Sequence, residues 1–216
     1  MWYLKKVNSG VLDIHVEKLK NGLAKRIKDS EKLTEEQKTI FTDDRLVHLL
    51  RDEPLPLYDL HLEIMKELIP GYDDKEFENL KMANHKKKYN RTDAENQLVE
   101  KYSLLKTLFA LFDYRNALSQ NKSRSYWLTK MKGQDVCTYC NRQYTFTVIK
   151  ETEDGKKEND DSRIARPALD HWFPESLYPI MSLSFYNLIP SCTICNSSAK
   201  GDALFSKYSV KAVLCA

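Results

Sequence analysis

The sequence predicts an α+β chain, mostly helical over residues 1–130 and mixed in texture over residues 131–216. Three observations carry this. Apolar stripes at helical spacing crowd the first part. The composition turns toward β-branched and aromatic residues after Gly133. Two C-x-x-C pairs, Cys137/Cys140 and Cys192/Cys195, bracket most of the second part.

The helical expectations come first. Leu12, Val16, Leu19, Leu23 and Ile27 recur at steps of three and four, which is one face of a helix. Thr34 with Gln37 has the form of a capping box opening a second helix. Leu57, Leu60, Ile64 and Leu68 form a third stripe, closed by Pro70-Gly71. Thr92 with Glu95 is another capping box, and behind it Leu98, Tyr102, Leu105, Phe109 and Phe112 read as one long apolar seam. These stripes are expected to pack helices, with partner, oligomer or nucleic-acid contacts as a further use of the region. Two basic clusters are candidates for phosphate contact: His85, Lys86, Lys87, Lys88 and Arg91 around Tyr89, and Lys122, Arg124, Lys130 and Lys132 around Tyr126 and Trp127.

After Gly133, Gln143 to Lys150 reads as a strand. Glu151 to Arg163 is a polar loop with Asp154-Gly155 as its turn signal. Ile164 to Leu169 reads as the returning strand, and a helix is expected from about Thr193 to Lys207.

Composition limits the function classes. Lys and Arg number 34 against 31 Asp and Glu, so the net charge of +3 does not by itself argue for nucleic acid. A nucleic-acid partner would have to be met by a local basic surface. Met1 to Lys6 turns polar before any signal-peptide core can form, and the apolar run from Leu104 to Phe112 is too short to span a bilayer. The expected location is cytoplasmic, with no membrane partner, and thiols there stay reduced.

That makes the cysteines candidates for metal binding. Zinc favours four tetrahedral ligands, and two residues between cysteines let one tight turn aim both sulfurs at one ion. A single such pair has the same spacing as a redox dithiol, and two separate redox centres are the alternative. Two pairs in one reduced chain favour a four-cysteine zinc site. The gap of 51 residues, 141 through 191, implies an inserted element between the halves of the site. Four thiolates close the coordination shell, so this zinc would be structural. Cys215 is left over, and no role is expected for it.

The insert holds Leu169-Asp170-His171-Trp172-Phe173-Pro174, then Tyr186-Asn187-Leu188-Ile189-Pro190, and Asn196 follows the last cysteine. Alone, an Asp-His pair or an Asn after a cysteine is more often structural. Together they are different, because a zinc staple would bring them into one folding unit. A carboxylate and an amide oxygen from facing elements can hold a hard cation such as Mg2+, and a neighbouring histidine can take a proton from water.

The order C-x-x-C, Asp-His-x-x-Pro, Asn-Leu-x-Pro, C-x-x-C-Asn-x-x-x-Lys resembles the HNH (ββα-metal) endonuclease family, in its branch with a four-cysteine zinc site. The resemblance covers about residues 133–205. It implies that residues 131–216 form a zinc-stapled HNH nuclease domain. It implies that Asp170 and Asn196 bind a catalytic Mg2+ or Mn2+, that His171 is the general base, and that Asn187 orients that base by hydrogen bonding from the hairpin. Cys137, Cys140, Cys192 and Cys195 would hold structural Zn2+. Lys200 falls near the basic position that follows the Cys-Asn element and would contact phosphate, although its spacing is one residue longer than in many members. Arg142 is a second candidate for nucleic-acid contact. The Trp172-Phe173 segment and the long loop 151–163 depart from some relatives and remove no required ligand.

The wording around the motifs is also similar to bacterial HNH proteins found beside ATPases, some in Septu-like or retron-linked anti-phage systems. That likeness implies an ATPase partner subunit and a part in antiviral defence. The expected activity is metal-dependent hydrolysis of phosphodiester bonds in nucleic acid, DNA ahead of RNA. The competing expectation is a zinc-stabilised module that binds nucleic acid or protein without catalysis, since the cysteines alone fit it equally well.

Overall fold

The computed structural model describes residues 6–150 and 162–199. Lys200, Cys215, most of the charged loop and the end of the expected C-terminal helix lie outside the described residues.

Helix α1 spans Ser9–Lys28, with the Asn8 side chain accepting from the Gly10 N–H at 2.8 Å and Lys25, Arg26 and Lys28 in its last turn. Both ends match the helix dipole and its unpaired backbone groups. Its buried line is His15, Leu19, Leu23 and Ile27. Leu12 and Val16, part of the expected stripe, are only partly buried. Helix α2, Glu35–Ile40, opens on the expected Thr34/Gln37 capping box. Helix α3, Asp43–Arg51, buries Leu46, Leu49 and Leu50 and packs along α1. Helix α4, Pro54–Leu68, starts with its proline in the first turn, where the missing N–H has no intrahelical partner to lose. It ends before Gly71, whose φ of 71° suits a residue without a Cβ. Helix α5 is Phe77–His85, and α6, Asp93–Lys101, opens on the Thr92/Glu95 box.

The seam behind that box is not one helix. Helix α6 stops at Lys101 and α7 runs Leu104–Leu111. Around the break, Ser103, Leu105 and Lys106 bond to carbonyls three residues back. Such tight turns advance the helical phase. Tyr102, Leu105, Leu108 and Phe112 are therefore buried, while Phe109, expected inside, is exposed. A π-type turn at Arg115–Ser119 leads to α8, Lys122–Lys132, which is capped by Asn121 and ends at left-handed Gly133.

The strands differ more from expectation. Of Gln143–Lys150, only β1, Val148–Ile149, is a paired strand, antiparallel to β2, Arg163–Ala165. The first half of that segment instead closes the loop around Cys137. The Cys137 N–H donates to the Gln143 carbonyl at 2.8 Å, and the Thr145 N–H to the Asp135 carbonyl at 2.9 Å. The expected returning strand 164–169 is split at Arg166-Pro167, where Pro has no N–H to continue a ladder. The chain then forms β3, Ala168–His171, paired with β4, Leu188–Ser191, in the register Asp170 opposite Ile189 and His171 opposite Leu188.

One hydrophobic cluster joins both parts of the chain. It includes Leu23, Leu49, Leu57, Ile64 and Phe112 from the helices, and Phe173, Met181, Leu183, Phe185 and Leu188 from the β3–β4 region. No helix among the described residues is long and apolar enough to cross a membrane.

Candidate metal centre and the site beside it

Cys137 and Cys140 sit on the loop after α8, and Cys192 and Cys195 follow the end of β4. Their four sulfurs all lie within 4.8 Å of one another, and the Cys140 and Cys192 sulfurs are 4.0 Å apart. Four sulfurs at Zn–S lengths of about 2.3 Å would be spaced by about 3.8 Å, so the cluster is nearly at the size of a tetrahedral zinc shell. The surroundings prepare the sulfurs as acceptors. Backbone N–H groups of Cys192 and Cys195 point at the Cys137 and Cys192 sulfurs at 3.3 and 3.4 Å. The turn at Asn141, with φ of 50°, brings the Arg142 and Gln143 N–H groups onto Cys140, and they lower its thiol to about 7. Burial, with the other sulfurs beside it, pushes Cys195 up to about 12. Four crowded thiols resist joint ionisation, and a divalent cation among them reverses that balance. The donor set fits a structural metal such as zinc.

The staple is tied to the hairpin. The Thr138 hydroxyl donates to the Pro190 carbonyl on β4 at 3.0 Å, and the Tyr139 hydroxyl donates to Asp170 on β3 at 2.5 Å. Burial and the Asp170 charge hold the Tyr139 hydroxyl far above its usual range, so it stays a donor. Tyr139 was missed in the sequence. Its signal was its place between the cysteines, where a metal knuckle presents its spacer side chains to whatever packs on it.

Asp170 and His171 are neighbours at the end of β3 and take different partners. Alternation along a strand turns adjacent side chains to opposite sides. Asp170 meets the knuckle through Tyr139. His171 lies against the edge of the Tyr114 ring, 4.5 Å between ring centres, and its Nε2 donates to the Ser182 carbonyl at 3.0 Å. A carbonyl only accepts, so Nε2 carries the proton of the neutral ring and Nδ1 is the basic nitrogen. Glu175 Oε2 is 3.8 Å from the same Nε2. Burial raises the Glu175 carboxyl above its ordinary value, with Asp113 adding to the effect. The His171 side chain keeps 11% of its exposure, a narrow opening to solvent.

Asn187 is placed beside this loop and acts on backbone. Its carbonyl oxygen accepts from the Phe173 N–H at 2.7 Å, and its amide donates to the Phe173 and Met181 carbonyls at 3.2 and 3.0 Å. These bonds lie on the residues 173–181 backbone, and among the described residues none of them reaches the His171 ring, which bonds to the Ser182 carbonyl. Asn196 follows Cys195 on the helical turn Cys195–Ala199, half-buried, and that turn packs against β3. Arg142 is exposed, with its N–H spent on Cys140. Lys200 lies outside the described residues.

Two buried titratable side chains grip the same loop: His15, and Lys132, which the sequence placed in a basic cluster for phosphate contact and the structure buries instead. His15 Nε2 on α1 donates to the Leu183 carbonyl at 2.8 Å. Lys132 Nζ on α8 donates to the Phe185 carbonyl at 2.5 Å and lies 3.9 Å from the centre of the Phe185 ring. The Phe185 N–H donates to Leu50 on α3, and the Ser182 hydroxyl to Phe112 after α7. The segment that aligns His171 is thus fastened by hydrogen bonds to four separate parts of the helical region. Burial lowers His15 to about 4 and Lys132 to about 7. Neither has a local sequence signal, since each completes a contact 50 or more residues away. In comparisons with known proteins, no family model, no curated protein and no solved structure matches this chain.

Proposed function

We propose that this chain is a metal-dependent HNH endonuclease that hydrolyses phosphodiester bonds of nucleic acid, DNA ahead of RNA. One observation carries the reading. The four-cysteine cluster is tied through Tyr139 to Asp170, and the next residue, His171, has its ring aligned with Nδ1 as the basic nitrogen.

In this reading Asp170 and Asn196 hold a divalent ion, Mg2+ or Mn2+. When bound, that ion supplies Lewis-acid stabilisation of charge on the phosphoryl and leaving oxygens. Asp170 is oriented by the Tyr139 hydroxyl. His171 accepts a water proton at Nδ1 while Nε2 stays on Ser182, so the ring turns neither way as it becomes charged. In-line displacement needs the attacking water and the leaving oxygen on opposite sides of phosphorus. Zinc on the four cysteines holds the Asn196 turn against β3 and takes no part in the chemistry. The ATPase partner and the anti-phage role rest on the family resemblance alone, and we include them in the proposal on that footing.

The test is nicking of supercoiled plasmid and of single-stranded DNA with Mg2+ or Mn2+. Wild type is expected to cleave, and His171→Ala to lose cleavage while keeping zinc and fold. Equal cleavage by that variant would overturn the mechanism. A wild type that binds DNA and leaves it intact, with or without an ATPase partner, would instead identify the non-catalytic binding module.

A further inference from the structure

Of the two basic clusters in the sequence, the structure uses up much of the second. Lys132 is buried on Phe185, and Arg124 donates to the Ala117 carbonyl at 3.2 Å. The first cluster stays at the surface, where residues 84–90 are all exposed. Two of its members fasten the junction of α5 and α6. Lys86 pairs with Glu95 at 2.5 Å, and Arg91 Nε donates to the Ala83 carbonyl at 2.7 Å. Lys87 and Lys88 have no ion-pair partner among the described residues. Lys87 Nζ lies 5.8 Å from the centre of the Tyr89 ring, and Tyr89 is 77% exposed. Two uncompensated cations thus precede an open aromatic ring in the chain, one of them close to the ring.

Beside them is a cavity of about 210 Å3. Lys81, Asn84 and His85 line it from α5, and Pro174, Ser176 and Leu177 from the loop that follows His171. Glu175 in that loop is the residue turned to His171 Nε2, so one short loop forms a wall of the cavity and reaches the candidate base. Ligand pockets for whole small molecules run from about 300 Å3 upward. This cavity is smaller, and its wall is mostly apolar, with Asn84, His85 and Ser176 among its polar residues. That lining suits a sugar carried beside its phosphate.

We propose that the surface from Lys81 to Tyr89, with this cavity, binds the sugar–phosphate backbone of a single-stranded stretch of nucleic acid leading to His171, and that Tyr89 stacks on a base. Phosphates are held by Lys87 and Lys88, and the adjoining sugar rests against Asn84, His85 and Ser176. The stacking face accepts any base, so the surface gives affinity and direction without sequence preference. The proposal deepens the nuclease reading and rests on it.

The experiment measures binding apart from cleavage. Full-length, zinc-loaded His171→Ala protein is titrated against fluorescein-labelled single-stranded oligothymidylate, read by anisotropy over roughly 50 to 200 mM salt. Adding Lys87→Glu and Lys88→Glu is expected to weaken binding about tenfold or more and to flatten the logarithmic salt dependence by about 1.4, the share of two phosphates on a single strand. Tyr89→Ala is expected to weaken single-strand binding by about fivefold or more and leave duplex binding unchanged. All three side chains are exposed, and circular dichroism and zinc content check the fold. If the parent protein binds DNA and the charge-reversed variant has the same affinity and salt slope, this surface assignment fails and the nuclease reading stands. If polyglutamate binds the surface as tightly as the oligonucleotide does, an acidic protein is its partner and the proposal is overturned. If the protein neither binds nor cleaves nucleic acid, both readings fail.

Discussion

Replacing Lys132 by methionine removes the buried amine and keeps most of the volume of its stem. Burial lowers this amine from 10.5 to about 7 in the folded chain. Between those two values the unfolded chain holds a proton that the folded chain has released. Stability of the wild type therefore rises with pH across this window, by up to about 1.4 kcal/mol per pH unit and on the order of 5 kcal/mol over the whole of it. Below the folded value both states are protonated and the contribution is flat at its minimum. Above 10.5 both are neutral and it is flat at its maximum. His15, the titratable side chain that faces Lys132 from α1, is lowered to about 4 and stays neutral throughout. Methionine has no proton to release, so this slope vanishes in the variant. Urea unfolding of the zinc-loaded proteins at pH 7 and pH 9 checks it. The stability difference, wild type minus Lys132→Met, should grow by about 2 kcal/mol between the two, since the slope is only half developed near the folded value. Groups shared by the two proteins, the cysteines among them, cancel in that difference. A difference that stays constant between pH 7 and pH 9 would refute the reasoning and place the amine in contact with solvent.

Three further perturbations follow from the site. Cys137→Ser should lose bound zinc, measured by mass spectrometry of metal content, and should loosen β3–β4, measured by faster amide exchange at Asp170 and Leu188. Asn187→Ala leaves the Phe173 N–H and the Phe173 and Met181 carbonyls without their partner, and should cost about 2 to 4 kcal/mol in denaturant unfolding. Tyr139→Phe keeps the ring and removes the donor to Asp170. It should leave zinc content unchanged and weaken Mg2+ or Mn2+ dependence of cleavage by about 10- to 100-fold, read from metal titrations of the nicking rate.

What was legible in the sequence were features whose cause is local. A capping box is complete within four residues, so Thr34 and Thr92 marked helix starts correctly. The C-x-x-C pairs carry their own geometry, and the four sulfurs do meet. The α+β character was readable in the same way. Features with distant causes were not. The phase change at Ser103 turned Phe109 outward and Leu108 inward, and an apolar pattern that fits both phases could not reveal it. The strand assigned to Gln143–Lys150 formed only at Val148–Ile149, because backbone groups of its first half are committed to closing the cysteine loop. Pro167 falls inside the segment expected as one returning strand, and the pairing of β3 with β4 shows that it divides two strand pairs. His15 lay outside the expected stripe of the first helix, and Lys132 stood in a basic cluster expected at the surface. Their burial depends on carbonyls of residues 183 and 185.

The loop that aligns His171 bears on how this protein could be divided or could vary. Its Leu183 and Phe185 carbonyls, the Phe185 N–H and the Ser182 hydroxyl are answered by His15, Lys132, Leu50 and Phe112, which come from separate stretches of the helical region. A fragment that begins after α8 would carry all four cysteines together with Asp170 and His171, yet it would leave those backbone groups and the faces of Leu183 and Phe185 unanswered. The chemistry proposed here is therefore not a portable cassette. A substitution on α1 or α8 reaches the candidate base through one carbonyl and a short span of chain, so drift in the helices and drift in the site must be compensated together.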